Sequence, residues 1–179
     1  MKFTLKNGAV VDIRLLSHSD KPAELRAFMV SLINEKPEPY IRRNRAPTLA
    51  EEKELKKRRL TEQRNKKTVS LVARINGKIA GMGGASLETM RDADKARLGI
   101  AIAKRFRGIG LGTILFKELI KLTKKILKPR LIYLGCLAAN KPAHAMYRKL
   151  GFHEFARFKK WQKHRGKYED MIFMKLGFR

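Results

Sequence analysis

Four residues between positions 107 and 112 have the types and spacing to hold an anion. Arg107 is followed by glycines at 108, 110 and 112, and a glycine lets a phosphate approach the backbone amides without meeting a Cβ. If a helix begins here, its first amides have no helical partner and its dipole favours negative charge beside them. The pattern therefore predicts a phosphate or pyrophosphate site.

The flanking segments predict a strand before this loop and a helix after it. Residues 98–103 are an apolar run of strand length. Beyond the loop, apolar side chains recur at three- and four-residue steps along one helix face: Leu111, Ile114, Leu115, Leu119, Leu122 and Ile126. A Walker-type loop is excluded because no Lys-Ser/Thr pair closes the turn, and Thr113 stands where a dinucleotide fingerprint needs glycine. The loop alone leaves the phosphate ligand open.

The composition of the chain predicts one globular domain over residues 1–179. Apolar residues make up 44% and charged residues 32%, and no apolar run reaches the ~18–20 residues of a membrane span. The first residues lack a signal-peptide core, and a single cysteine, Cys136, excludes an internal disulfide. We therefore expect a cytoplasmic protein without a membrane partner.

The charge balance predicts an affinity for polyanions. The chain has 42 Lys and Arg against 16 Asp and Glu, a formal charge of +26. Such a surface favours nucleic acid or ribosomes and speeds capture of an anionic cofactor, although a host that selects basic surfaces generally would give the same balance. The predicted helix at 48–67 is the most basic segment, and it is either a solvated helix or a docking face.

The remaining helices, strands and turns are predicted from hydrophobic periodicity and from the positions of capping residues, prolines and glycines. Residues 17–20 offer N-caps for a helix that starts near Pro22, and the prolines in residues 36–39 should end it. Thr48 and Glu51 have capping-box spacing, and Asn76-Gly77 predicts a hairpin turn. The expected strands are residues 9–16, 68–75, 78–87, 131–137, 152–161 and 168–176.

A second motif, together with the loop, resembles the GNAT superfamily of acyl-CoA-dependent N-acyltransferases. The loop has the R-x-x-G-x-G spacing of that family, and residues 140–152 match N-x-x-A-x-x-x-Y-x-x-x-G-F through Asn140, Ala143, Tyr147, Gly151 and Phe152. The resemblance covers about residues 98–152 in detail. It implies an α+β fold with α/β/α layers, in which a splayed central mixed sheet of about six or seven strands is flanked by helices.

The resemblance also implies where an acyl-CoA binds, between the strands near 98–103 and 131–137. Backbone groups of the first strand are expected to hold the pantetheine arm: Ile100, Ala101 and Ile102. Loop amides are expected to hold the pyrophosphate: Arg107, Gly108, Ile109, Gly110, Leu111, Gly112 and Thr113. Asn140 matches a position that contacts the pantetheine arm, and Tyr147 matches the catalytic tyrosine beside the thioester sulfur. The N–H of Ile102 is the expected donor to the thioester carbonyl.

The function implied is transfer of an acetyl group from acetyl-CoA to a primary amine by direct attack in a ternary complex. Whether the acceptor is a small molecule or a protein or peptide stays open, as does a monomer or homodimer. A different alternative is a non-catalytic relative that binds nucleic acid or ribosomes through its basic surface. No metal is expected, since the four histidines lack ligand spacing. Carboxylates near the expected mouth are the candidate bases: Glu88, Asp92, Asp94, Glu169 and Asp170.

Overall fold

The computed structural model describes residues 1–35 and 45–177, and these residues form eight strands and four α-helices. The strands are β1 (Lys2–Thr4), β2 (Val10–Leu15), β3 (Thr68–Ile75), β4 (Lys78–Leu87), β5 (Lys95–Ile102), β6 (Leu131–Leu137), β7 (Phe152–His164) and β8 (Lys167–Leu176). The helices are α1 (Pro22–Ile33), α2 (Leu49–Arg64), α3 (Leu111–Leu122) and α4 (Lys141–Lys149). The order of these elements along the chain is β1-β2-α1-α2-β3-β4-β5-α3-β6-α4-β7-β8.

The described strands form one mixed sheet in the order β1-β2-β3-β4-β5-β6-β8-β7. The predicted α+β fold is confirmed, but the sheet has eight strands rather than six or seven. The short edge strand β1, which pairs through Lys2–Thr4, was missed because its three residues carry no alternation long enough to detect. β5 and β6 are parallel, and the other neighbouring strands are antiparallel.

Two apolar clusters cover the two faces of the sheet. On one face, Leu111, Leu115 and Leu119 of α3 are fully buried against the strands, and Tyr147 of α4 joins the same cluster. On the other face, Leu25, Phe28 and Leu32 of α1 pack with Leu60 of α2 and Met82 of β4. The result is the expected three-layer arrangement, with an α3/α4 face and an α1/α2 face.

Local signals account for several helix and turn positions. The capping box of α2 is confirmed, because the Glu51 N–H donates to Thr48 Oγ1 at 3.2 Å while the Thr48 N–H donates to Glu51 Oε2 at 2.8 Å. Asn76 and Gly77 both take positive φ angles, +48° and +74°, in the predicted hairpin turn. The prolines expected to end α1 lie outside the described residues.

The predicted N-cap of α1 is wrong. Lys21 occupies that position without a side-chain hydrogen bond. Asp20, which is fully buried, instead accepts hydrogen bonds from the guanidinium groups of Arg14 at 2.7 Å and Arg74 at 2.9 Å, and from the Ser17 N–H at 3.0 Å. Burial alone raises the pKa of Asp20, but these hydrogen bonds outweigh it and lower the pKa to about 2.

The parallel pair β5–β6 separates after three residues. Lys95, Ala96 and Arg97 pair with Leu131, Ile132 and Tyr133, and the pairing stops there. Beyond that point β5 stays paired with β4 as far as Ile102, and β6 turns to β8 as far as Leu137. Residues 98–102 and 134–137 therefore face each other across an opening, which we call the β5–β6 gap. In the part of the chain that is described, no helix has the length and apolar character needed to cross a membrane.

Candidate functional site

Six consecutive N–H groups at the start of α3 have no acceptor among residues 1–35 and 45–177. The first helical bond in this region runs from the Ile114 N–H to the Gly110 carbonyl at 3.2 Å. A helix normally leaves four such donors, and the preceding loop adds two more. The six residues are Gly108, Ile109, Gly110, Leu111, Gly112 and Thr113. A row of unpaired amides at a helix N-terminus has the geometry to hold an anion.

The three glycines of the loop have different structural roles. Gly108 and Gly110 take φ angles of +80° and +90°, which residues with a side chain adopt only with strain. A Cβ on Gly108 would meet nothing within 4 Å, whereas one on Gly112 would lie 3.3 Å from Met146 Sδ of α4. Gly110 is bordered by Lys6, whose Cγ lies 3.7 Å from the position a Cβ would take. Gly108 and Gly110 thus shape the turn, and Gly112 allows α3 and α4 to approach each other.

Arg107 supports the loop from behind. Its backbone N–H already donates to the Lys104 carbonyl at 3.2 Å, unlike the six amides that follow it. Its guanidinium donates to the Ile102 carbonyl at 2.9 Å and pairs with Glu35 at 2.7 Å. The second oxygen of Glu35 accepts the Lys104 N–H at 3.1 Å. Glu35, which sequence reasoning missed, therefore fixes the loop to the end of α1.

Strand alternation aims part of the β5 backbone into the β5–β6 gap. The Ala103 N–H donates to the Ala80 carbonyl at 3.0 Å, so residues 103, 101 and 99 direct their backbone groups at β4. The N–H and C=O groups of Ile100 and Ile102 then point away from β4, toward the gap. Ala101 keeps its side chain in the cluster on the α1/α2 face. Ile100 and Ile102 are thus the two residues of this trio whose backbone can bind a ligand in the gap.

Tyr147 is held in an aromatic cluster beside the gap. Its ring centroid lies 5.0 Å from that of Phe116 and 6.1 Å from that of Phe152. The side chain is buried, and its hydroxyl makes no hydrogen bond to another described residue. Burial raises the pKa of Tyr147, and the neighbouring Cys136 thiol raises it further. Tyr147 is therefore a neutral donor whose hydroxyl has no acceptor among the described residues.

Two further residues fix α4 against β6. Asn140 Oδ1 accepts the Ala143 N–H at 3.4 Å and caps the helix. The imidazole of His144, one turn before Tyr147 and buried, hydrogen-bonds the Leu137 carbonyl at the end of β6 at 3.0 Å. Burial lowers the pKa of His144, which keeps the imidazole neutral. Its spacing of three from Tyr147 was the available sequence signal that both face inward.

Cys136 lies on β6 at the same gap. The thiol is buried, and burial raises its pKa to about 12. A thiol with so high a pKa is a poor nucleophile, so an acyl-cysteine intermediate is not favoured.

Beneath the point where β5 and β6 separate, the α1/α2 face carries a polar pair. The Tyr133 hydroxyl donates to Glu88 Oε1, and burial followed by this carboxylate raises the pKa of Tyr133 to about 12. Nearby, Gly84 pairs with Gly99 across β4 and β5, and a Cβ at Gly99 would meet nothing within 4 Å. An open patch of backbone therefore lies on the same face of the sheet as the Tyr133–Glu88 pair, which leaves room for a second ligand.

Three of the other candidate bases are engaged in ion pairs. Asp92 pairs with Lys95, and Asp94 pairs with Arg130 at 2.5 Å, a hydrogen bond that lowers the pKa of Asp94. Asp170 lies 3.7 Å from Arg157 and accepts the Lys160 N–H at 3.0 Å. Glu169 lies on β8 opposite Gln162 of β7. Glu88 makes no ion pair among the described residues and is hydrogen-bonded instead by the Tyr133 hydroxyl. No cluster of His, Cys, Asp and Glu able to hold a metal occurs among the described residues.

Comparison with known proteins identifies relatives of this chain. The sequence model described as "Acetyltransferase (GNAT) family" matches residues 29–152. An N-alpha-acetyltransferase of Sulfurisphaera tokodaii is 29% identical over 92 residues, which span 46% of this chain and 55% of the relative. An L-amino acid N-acetyltransferase, AaaT, of Escherichia coli is 30% identical over 105 residues, which span 58% of this chain and 65% of the relative. The chain therefore matches less than two thirds of the length of either relative.

A solved structure has the same fold over nearly the whole chain. It is yncA of Salmonella typhimurium, a putative acetyltransferase with its cofactor acetyl-CoA. The two structures superpose with a TM-score of 0.80 at 18% sequence identity, covering 94% of each chain. At this identity the likeness concerns the fold.

Proposed function

This chain belongs to the acetyltransferase (GNAT) family, and we propose that it transfers an acetyl group from acetyl-CoA to a primary amine. One observation carries the proposal. The six unpaired amides of residues 108–113 open next to the β5–β6 gap, so one ligand can place a pyrophosphate on the amides and a thioester arm in the gap. Acetyl-CoA has this combination of groups, and the solved structure of yncA, which has the same fold, includes its cofactor acetyl-CoA.

In this proposal, different residues around the β5–β6 gap bind different parts of acetyl-CoA. The amides of Gly108 to Thr113 hold the pyrophosphate, and Arg107 supports them through Glu35 rather than by contact. The backbones of Ile100 and Ile102 bind the pantetheine arm, with Asn140 on the far side of the gap. Ala101 contributes packing on the opposite face, because its backbone is committed to β4.

The chemistry proceeds by direct attack in a ternary complex. The amine approaches from the α1/α2 face over Gly84 and Gly99, and its lone pair attacks the acetyl carbonyl. A gap-facing N–H of β5 stabilises the developing oxyanion. The C–S bond then breaks, and the thiolate leaves toward the Tyr147 hydroxyl. Full proton transfer to a thiolate, whose acid has a pKa near ~8.5, is uphill from a phenol with a raised pKa, so Tyr147 acts by hydrogen bonding.

Glu88 is the proposed proton acceptor for the amine. Its carboxylate, held by the Tyr133 hydroxyl, lies on the same face of the sheet as the open patch over which the amine approaches. At pH 7 deprotonation costs roughly 4–5 kcal/mol for a lysine amine of pKa near ~10.4, but only about 1–1.5 kcal/mol for an α-amine near ~8. A single partly exposed carboxylate is better suited to deprotonating an α-amine than a lysine amine. We therefore propose an α-amine acceptor, of an amino acid or a peptide, which agrees with the names of the two relatives.

An assay of thiol release tests the function. With acetyl-CoA and a panel of amines, free thiol should appear with amino acids or N-terminally free peptides and stay near background with N-acetylated peptides that retain lysine. Acetyl-CoA at 100-fold its Kd should add about 2.7 kcal/mol to the free energy of unfolding. Absence of any thermal stabilisation by acetyl-CoA would refute the proposal.

The non-catalytic alternative is not favoured, because the family match and the row of unpaired amides both favour an enzyme. The extent of the domain over residues 1–179, the cytoplasmic location and the choice between monomer and homodimer stay predictions.

A further inference from the structure

The terminal hairpin of β7 and β8 exposes a cluster of aromatic rings. Phe155, Phe158, Trp161 and Tyr168 are 47%, 46%, 55% and 66% exposed. The first three gather around Phe173, with ring centroids 6.4, 5.7 and 6.4 Å from its own. We call Phe155, Phe158, Trp161 and Phe173 the hairpin aromatic surface; Tyr168 alternates to the other face of β8 from Phe173. Single exposed apolar residues are common, but a contiguous group marks a surface that meets a partner.

A bulge in β7 contains two exposed lysines next to Trp161 in the chain. Phe158 pairs with Met171 and Gln162 pairs with Glu169, so Lys159, Lys160 and Trp161 stand opposite Asp170 alone. Lys160 has a φ of +50°, and its N–H donates to Asp170 Oδ1 at 3.0 Å. The bulge brings Trp161 to 5.1 Å from Phe158 and leaves both lysine side chains exposed. Bulges commonly re-aim side chains at functional surfaces.

The positive charge of the hairpin is not neutralised locally. Across residues 1–35 and 45–177, four exposed lysines of the hairpin form no ion pair: Lys159, Lys160, Lys163 and Lys167. The carboxylates of Glu154 and Asp170 are both paired with Arg157. Lysines alone are explained by protection of an edge strand against aggregation. Protection of an edge strand against aggregation does not explain exposed aromatic rings, so the rings need a separate explanation.

We propose that the hairpin aromatic surface binds single-stranded RNA. Unpaired bases stack on exposed rings, and the exposed lysines of the hairpin contact phosphates; this combination is typical of single-strand binding surfaces. The exposed lysines favour a polyanion over a second copy of this basic chain at this surface. A duplex does not fit, because its bases are already stacked. The proposal is independent of acetyl transfer.

Trp161 gives a direct test, because it is the only tryptophan in the sequence. A single-stranded RNA of about 12 nucleotides should quench its fluorescence on binding, whereas inorganic polyphosphate of equal charge should not. Saturating acetyl-CoA should leave the quenching in place. Failure of RNA to quench, equal quenching by polyphosphate, or loss of quenching with acetyl-CoA would each overturn the proposal.

Variants separate stacking from charge. Phe158→Ala should weaken binding of labelled RNA by about 5- to 150-fold in fluorescence anisotropy, since stacking on one ring contributes ~1–3 kcal/mol. The pair Lys159→Gln and Lys163→Gln should reduce the slope of log K against log salt by about 1.4. The matched control removes Lys53 and Lys57, two exposed lysines of α2, and should leave the slope unchanged. Equal losses in test and control variants, or duplex binding as tight as single-strand binding, would contradict the assignment.

Discussion

Replacement of Tyr147 by phenylalanine removes one hydroxyl and keeps the ring. The contacts with Phe116 and Phe152 remain, and no described residue loses a hydrogen-bond partner. Folding stability should therefore change little, and the Kd for acetyl-CoA should stay within about twofold. The loss should fall on the chemical step, where the hydroxyl donates to the departing thiolate. A hydrogen bond to a charged group contributes about 1.5–3 kcal/mol, so kcat should fall about 10- to 150-fold.

The assay is single-turnover thiol release with saturating amine, paired with calorimetric binding of acetyl-CoA. Tyr168→Phe is the matched control, because it removes the same hydroxyl from an exposed ring on the hairpin. The pH profile adds a second readout: since burial raises the pKa of Tyr147, its hydroxyl stays protonated to at least about pH 10. Turnover by Tyr147→Phe within twofold of wild type would refute the role. So would an alkaline loss of activity near pH 9 that disappears in the variant.

Three further predictions follow from the loop, the base and the buried aspartate. Gly108→Ala, at a φ of +80°, should raise the KM for acetyl-CoA about tenfold, whereas Gly166→Ala, at +77° in the β7–β8 turn, should cost a similar ~1–2 kcal/mol of stability with KM unchanged. Glu88→Gln should lower kcat/KM at least tenfold near pH 7 and recover as the pH approaches the pKa of the amine; a pH-independent deficit would argue against a base. Because the folded pKa of Asp20 is about 2, below its unfolded value of 3.8, its ionisation contributes about 2 kcal/mol above pH 4 that is lost as the pH falls through 2. Urea unfolding should therefore show a smaller loss between pH 6 and pH 3 in Asp20→Asn, which is already destabilised.

Structural features that depend on only a few neighbouring residues were predicted well. The capping box at Thr48, the turn at Asn76-Gly77 and the glycine loop before α3 each need only a few neighbouring residues. Periodicity placed α3 because Leu111, Leu115 and Leu119 repeat at helical spacing. The resemblance to a family then supplied the position of the gap, which no local pattern specifies.

Contacts between distant segments were not predictable from local sequence. Glu88 and Tyr133 are 45 residues apart, and Glu35 and Arg107 are 72 apart, so only the sheet order and the packing of α1 bring them together. Asp20 followed the same rule: a residue type typical of a helix cap became a buried anion because Arg14 and another arginine converge on it.

The central claim is that the amides of residues 108–113 bind the pyrophosphate of acetyl-CoA. A titration of the nitrogen-15-labelled protein with CoA, followed by amide chemical shifts, tests it residue by residue. The account predicts that the largest shifts occur at Gly108 to Thr113 and along Ile100 to Ile102, with α2 unaffected. Binding that leaves these amides unchanged, or shifts centred elsewhere on the basic surface, would contradict it.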